Sequence, residues 1–163
     1  MELSEQSIGE LVAAEVSRQL ALRANRPVYV TLDPGAKVPH RYHDTDAGAD
    51  VFAPNDFTVP VGGTYFLKSG VHVQLPRGTR LDIREKSGLH KDHGVFTMGL
   101  VDEGYTGDVG IIIHNVGNAP IAFKAGDEVC QFVVSEVMYP DFVVVDSIEG
   151  GERGDGAYGS TGR

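Results

Sequence analysis

The sequence predicts an all-β sandwich or barrel, and three observations predict it. From Arg26 onward the chain divides into short runs rich in β-branched and aromatic residues, and turn signals stand between the runs. Helical periodicity is confined to the residues before them. Short strands separated by Gly, Pro, Asn and Asp are the pattern of sheets that fold over one another or close. A chain of 163 residues fits one domain with appendages. The expected division is a helical extension over 1–25, a β domain over 26–148 and a flexible Gly-rich tail over 149–163.

Residues 4–24 read as a helix because Ile8, Leu11, Val12, Val16 and Leu20 recur at helical spacing, with Ser7 and Glu10 as a capping box. The apolar stripe calls for a partner, either the domain surface or a neighbouring subunit; the opposite face is too weakly basic for a membrane surface. The β-runs follow in order: PVYVTL (27–32), DVFAP (50–54), FTVP (57–60), TYFLKSGVHVQL (64–75), TRLDIRE (79–85), DVGIIIHNV (108–116), IAFKAGD (121–127), EVCQFVVSEVMY (128–139) and FVVVDSI (142–148). Between them stand Asp33-Pro34-Gly35, Val61-Gly62-Gly63, Pro76-Arg77-Gly78, Gly117-Asn118 and Ala125-Gly126-Asp127.

Charge and cysteine content narrow the function. With 23 acidic and 14 basic residues the net charge is -9, so the basic footprint of a nucleic-acid or anionic-membrane partner is missing. The single cysteine, Cys130, has no internal disulfide partner and fits a reducing compartment. No run approaches the roughly 18 apolar residues of a membrane span, and the N-terminus lacks a signal-peptide pattern. A cytoplasmic protein is expected.

The chemistry concentrates in MGLVDEGYTGDVG (98–110), which sets Asp102 and Tyr105 three residues apart among glycines that permit close backbone approach. An acid and a ring presented together suit a sugar and a water. On local sequence alone, Asp102 reads equally as a turn-capping residue, and Tyr105 as a half-buried strand tyrosine. The terminal ERGDGAYGSTGR (152–163) reads as a flap over a phosphate-bearing ligand, or as a disordered Gly-rich terminus.

Five segments then line up: DAGADV (46–51), KSGL (86–89), MGLVDEGYTG (98–107), AGDEVCQFVV (125–134) and RGDGAYGSTG (153–162). Their order, spacing and content resemble the five motifs of the trimeric dUTPases, which hydrolyse dUTP to dUMP and pyrophosphate. The resemblance runs from about Asp46 to the end of the chain and leaves the helix before Arg26 outside. It implies a dUTPase-like distorted jelly-roll β-barrel carrying the N-terminal helix and the C-terminal tail. It also implies a homotrimer with shared active sites, and Mg2+ held through the triphosphate and waters rather than by side chains.

By the same resemblance, Asp102 is the acid that activates water for attack on the α-phosphorus, and Tyr105 the ring that excludes a ribose 2′-hydroxyl. Lys86, Ser87 and Gly88 face phosphate, with Lys86 standing where the family usually has arginine; Arg84 is a substitute guanidinium. Gln131 contacts phosphate or the attacking water, although a solvent-facing strand residue fits its local pattern. Asp50 orients Arg153 or metal-bound water. In the tail, Arg153, Ser160 and Thr161 match γ-phosphate ligands, with Gly159 among them, and Tyr158 stands where phenylalanine usually covers uracil. No asparagine occupies HKDHGVFTMG (90–99), so uracil recognition falls to the main chain of Val95 to Gly99, with Thr97. The neighbouring His90 and His93 lack a third ligand and read as solvated loop histidines. Two other functions share this pattern: dCTP deamination, for which Ile112 stands where a catalytic glutamate is needed, and a dUTPase-like regulatory protein, against which Asp102, Tyr105 and Arg153 argue.

Overall fold

The computed structural model describes residues 5–24 and 26–151. After helix α1 (Glu5–Ala24) come β1 (Tyr29–Leu32), β2 (Ala49–Phe52), β3 (Phe57–Val59), β4 (Thr64–Gln74), β5 (Thr79–Arg84), a short helix α2 (Ser87–His93), β6 (Val95–Asp102), β7 (Asp108–Asn115), β8 (Ile121–Phe123) and β9 (Glu128–Glu136). Seven strands form one curled antiparallel sheet in the order β1-β4-β7-β6-β5-β9-β2, and β3 pairs with β8 in a second. The fold is all-β, as the run-and-turn pattern predicts, and jelly-roll-like, as the resemblance implies.

Alternation along each strand puts one face into the core. Val51, Leu67, Leu81, Val109, Ile111 and Ile113 are each at most 1% exposed. Phe57 of β3 stacks on Tyr65 of β4 at 4.5 Å and on Phe123 of β8 at 4.8 Å, which fastens the small sheet to the large one. Gly94 ends α2 with φ +66°, and a Cβ there would lie 2.5 Å from the Gly117 amide nitrogen, so only glycine fits.

Three expectations change. Helix α1 is already helical at Glu5, which places Ser7 and Glu10 inside it rather than at a capping box. Ile8, Leu11, Val12 and Val16 of its stripe are exposed. His90 and His93 are not loop residues: they lie in α2, whose N-cap is Lys86. FVVVDSI forms no strand, because a strand requires a ladder partner and this segment has none within the described chain.

Asn115 is fully buried, and its side-chain amide donates to the Val59 carbonyl at 3.0 Å and the Ala119 carbonyl at 2.8 Å. Its Oδ1 accepts the Gly117 N–H at 3.0 Å. Asn115→Ala therefore removes the partner of three backbone groups, of which the Val59 carbonyl is buried and the other two partly so, and urea unfolding should show a loss of roughly 1–3 kcal/mol at unchanged m. A loss no larger than that of an ordinary surface substitution would mean that the three groups find other partners.

Candidate functional site

Strand registers carry six side chains into one row across the outer face of the sheet. Phe66 on β4 lies opposite Ile112 on β7, Ile112 opposite Met98 on β6, and Met98 opposite Arg84 on β5. Arg84 in turn lies opposite Gln131 on β9, and Gln131 opposite Asp50 on β2. The row is apolar and exposed at Phe66, Ile112 and Met98, and polar from Arg84 to Asp50.

The polar end centres on Asp50, only 5% exposed. Its carboxylate takes the Lys86 ammonium at 2.8 Å and the Gln131 amide at 3.0 Å. Lys86 also pairs with Glu128, whose other oxygen accepts the Tyr42 hydroxyl at 2.6 Å. Burial opposes the Lys86 charge, but the bonds to Asp50 and Glu128 outweigh it and hold the ammonium above its ordinary range. Lys86, then Tyr42, hold the Glu128 carboxyl below the usual range. Arg84, exposed beside this cluster, has no ion pair among the described residues. Ser87 and Gly88 are exposed in the first turn of α2.

Strand β6 changes partners along its length. Val95 to Met98 pair with β7, whereas Met98 to Asp102 pair with β5. Each half thus has one edge outside these ladders. A cleft of about 390 Å³ opens beside the β5 end, lined by Arg84, Glu85, Phe96 and the Thr97-to-Leu100 chain. A second, about 300 Å³, is lined by Phe66, Leu100, Asp102, Tyr105, Asp108 and Gly110. Thr97 departs from expectation: its side chain is 1% exposed and turned into the core, and its hydroxyl has no hydrogen-bond partner among the described residues. Only its main chain is available to a ligand. Gly99 is exposed on the same strand.

Asp102 ends β6 opposite Arg80, four residues and about 13 Å along the strand from the Met98 row. Its carboxylate is exposed and takes no hydrogen bond among the described residues, while Arg80 turns to Asp82 at 3.1 Å. Tyr105 folds back over the turn, its hydroxyl donating to the Asp108 carbonyl at 2.9 Å. A Cβ on Gly107 would lie 2.7 Å from the ring carbon that bears that hydroxyl, so the ring rests directly on the backbone.

The chain therefore gathers Asp50, Lys86, Ser87, Gly88 and Gln131 at one place, and Asp102 and Tyr105 at another. Among the described residues Asp50 holds Lys86 and Gln131; Arg153, the other partner expected for it, lies outside them. Arg153, Tyr158, Gly159, Ser160 and Thr161 lie outside the described residues. Sequence reasoning missed Glu128 and Tyr42. Glu128 sits inside AGDEVCQFVV, where an acid after a Gly-Asp turn was a usable signal; nothing periodic marks Tyr42. Burial pushes the Cys130 thiol up, in keeping with an inert core cysteine.

A model of the dUTPase family matches residues 35–162, which include both clefts and the Asp50 cluster. The deoxyuridine 5'-triphosphate nucleotidohydrolase of Picosynechococcus sp. is 35% identical over 134 residues, covering 80% of this chain and 94% of the relative. The enzyme of the same name from Mus musculus is 32% identical over 155 residues, 93% of this chain and 96% of the relative. The structure of Staphylococcus bacteriophage 80alpha dUTPase with dUPNHPP superposes with a TM-score of 0.80 at 24% identity, over 85% of this chain and 100% of that one. That likeness speaks for the fold; the family match and the two relatives carry membership, and by them the chain belongs to the dUTPase family.

Proposed function

We propose that the protein hydrolyses dUTP to dUMP and pyrophosphate in the cytoplasm, as a homotrimer whose active sites are shared between subunits. The observation that carries this reading is the separation, within one chain, of the Asp50–Lys86–Gln131 cluster from Asp102 and Tyr105. Both sets are needed at one nucleotide, and a neighbouring subunit can bring them together. The exposed row of Phe66, Ile112 and Met98 and the exposed 142–148 segment are apolar surfaces suited to burial between subunits.

In this reading Asp102 orients a water and accepts its proton as the water oxygen bonds to the α-phosphorus. The bond from that phosphorus to the bridging oxygen breaks, and pyrophosphate leaves with the electron pair. Tyr105 packs against the deoxyribose. The unpaired edge of β6 from Val95 to Thr97, with Gly99 beside it, reads uracil through main-chain groups. Ser87, Gly88, Arg84 and Gln131 receive the phosphates; Lys86 stays neutralised by Asp50 and Glu128 unless phosphate displaces one of them. Arg153, Tyr158, Gly159, Ser160 and Thr161 complete the site as a closing flap. Among the described residues no three His, Cys, Asp or Glu side chains are grouped to hold a metal, and this donor set fits Mg2+ carried in on the triphosphate. That ion would supply charge neutralisation to the phosphates, with no side chain of this set needed to hold it. Ile112 is apolar and faces outward, so the deaminase chemistry has no proton shuttle there.

Asp102→Asn should keep nucleotide affinity and lower turnover by ~10²–10⁴, measured as pyrophosphate release. Near-normal turnover would remove Asp102 from the mechanism. Tyr105→Ala should lower the kcat/KM ratio of dUTP to UTP more than it lowers melting temperature; unchanged discrimination would assign the sugar filter to another group. Subunits carrying Asp102→Asn, mixed with subunits truncated after Gly150, should regain activity that neither has alone. Near-zero activity after verified exchange would mean that each site is built within one chain.

A further inference from the structure

The Tyr105 turn is tied to the rest of the domain by few hydrogen bonds, and one of them depends on a titratable ring. Glu103 accepts the Gly78 N–H and is held well below the carboxylate range by that bond and by Tyr139, so this tie persists at neutral pH. Tyr105 is tied to Asp108 through neutral groups. Among the described residues a further tie is the half-buried His72 on β4, whose Nδ1 lies 3.2 Å from the Thr106 carbonyl oxygen. Its Nε2 lies 3.3 Å from the Asp33 carboxylate, on the connection after β1.

Both partners of this ring are acceptors only: a carbonyl oxygen has no proton to give, and neither has an ionised carboxylate. A neutral imidazole can donate to one and must turn a lone pair on the other. Only the imidazolium satisfies both. The charged groups acting on the ring are Asp33, from the β1–β2 connection, and Asp108, at the start of β7. Asp108 is itself committed to the Gly70 N–H at 2.9 Å and the Ser69 hydroxyl at 3.3 Å. Hydrogen bonds to Asp33 and then to Thr106 hold the imidazolium above its ordinary value of 6.5, against a smaller opposing effect of burial.

We propose that protonated His72 is a positioning residue for sugar selection: by holding the Thr106 carbonyl it fixes the backbone under the Tyr105 ring, and deoxyribose is told from ribose less sharply when the proton is lost. This rests on the reading of Tyr105 given above. The mechanical link is short, since Thr106 joins Tyr105 to the Gly107 backbone on which the ring rests. The sign follows from the direction of the shift. A group whose folded-state value is raised is charged below it; above it the ring keeps one N–H, which the Asp33 carboxylate, the stronger acceptor, draws to Nε2, so the hold on Thr106 is present below a point above 6.5 and is lost as pH rises through it.

The test is the kcat/KM ratio for dUTP over UTP, measured on the whole chain from pH 6 to about 9, upward from the ordinary range of a histidine. Ionisation of the triphosphate and of the catalytic carboxylate acts alike on both substrates and cancels in the ratio. The wild-type ratio should fall by roughly threefold to tenfold, the scale of one lost hydrogen bond. The fall should follow the His72 midpoint read by NMR from its ring protons. Asp33→Asn should move that midpoint and the fall together to lower pH, whereas His72→Gln, which keeps a neutral amide donor, should give a ratio independent of pH. The amide resonances of Tyr105 to Gly107 should titrate with the His72 midpoint in the wild type, a readout that needs no turnover. A flat wild-type ratio, a fall that persists in His72→Gln, or amides indifferent to the His72 midpoint would each overturn the inference while dUTP hydrolysis stands. Absence of dUTP turnover at every pH would instead overturn the functional reading beneath it, and the inference with it.

Discussion

A carboxylate taken almost wholly out of water must be compensated, and Asp50 is such a carboxylate. Desolvation of an ionised group costs several kcal/mol unless charge and hydrogen bonds replace the lost water. Lys86 and Gln131 provide both, and they come from opposite directions: Lys86 from the N-cap of α2, Gln131 from the adjacent strand β9. Glu128 and Tyr42 extend the arrangement to the other side of the ammonium. The entry of α2, the register of β2 on β9 and the path of the 40–46 segment are thereby tied to one another. A lysine enclosed in this way is a fixed point around which Ser87, Gly88 and Arg84 keep their places. Its geometry differs from that of a free guanidinium fork reaching for phosphate.

The division of β6 between two partners does for the ligand side what Asp50 does for the framework. A strand paired on both edges throughout its length has no backbone group to offer. By pairing with β7 in its first half and β5 in its second, β6 leaves main-chain edges beside two clefts and stays anchored in a continuous sheet. A main-chain edge is held by the ladder next to it, so any ligand bound there would meet donors and acceptors that are already in place and lose little entropy on binding. The Asp102 turn emerges from the end of the same strand.

Much of this was legible in the sequence. Eight of the nine β-runs correspond to strands, because period-2 alternation and Gly, Pro, Asn and Asp turns are local signals. Asp50, Gln131 and the KSGL segment were singled out together, and they do meet in space. What the sequence could not supply is the partner of each group. Lys86 as a phosphate ligand and Lys86 as the counter-charge of two carboxylates have the same local sequence; only the β2–β9 register distinguishes them. Thr97 lies in a stretch that reads as ligand-facing, yet the pleat turns its hydroxyl inward. The short helix at Ser87–His93 replaces an expected loop because Gly94 provides the left-handed stop that seven residues need in order to close a turn. FVVVDSI carries every strand propensity and still forms none, since propensity does not provide a partner edge.

That segment has a consequence for handling and for the cell. Phe142, Val144 and Ile148 are each more than 90% exposed in the isolated chain, in a β-branched stretch without proline. An uncovered stretch of this kind is a template for irregular self-association. In the isolated chain such a stretch favours self-association whatever the stability of the sheets, because its exposure does not depend on their unfolding.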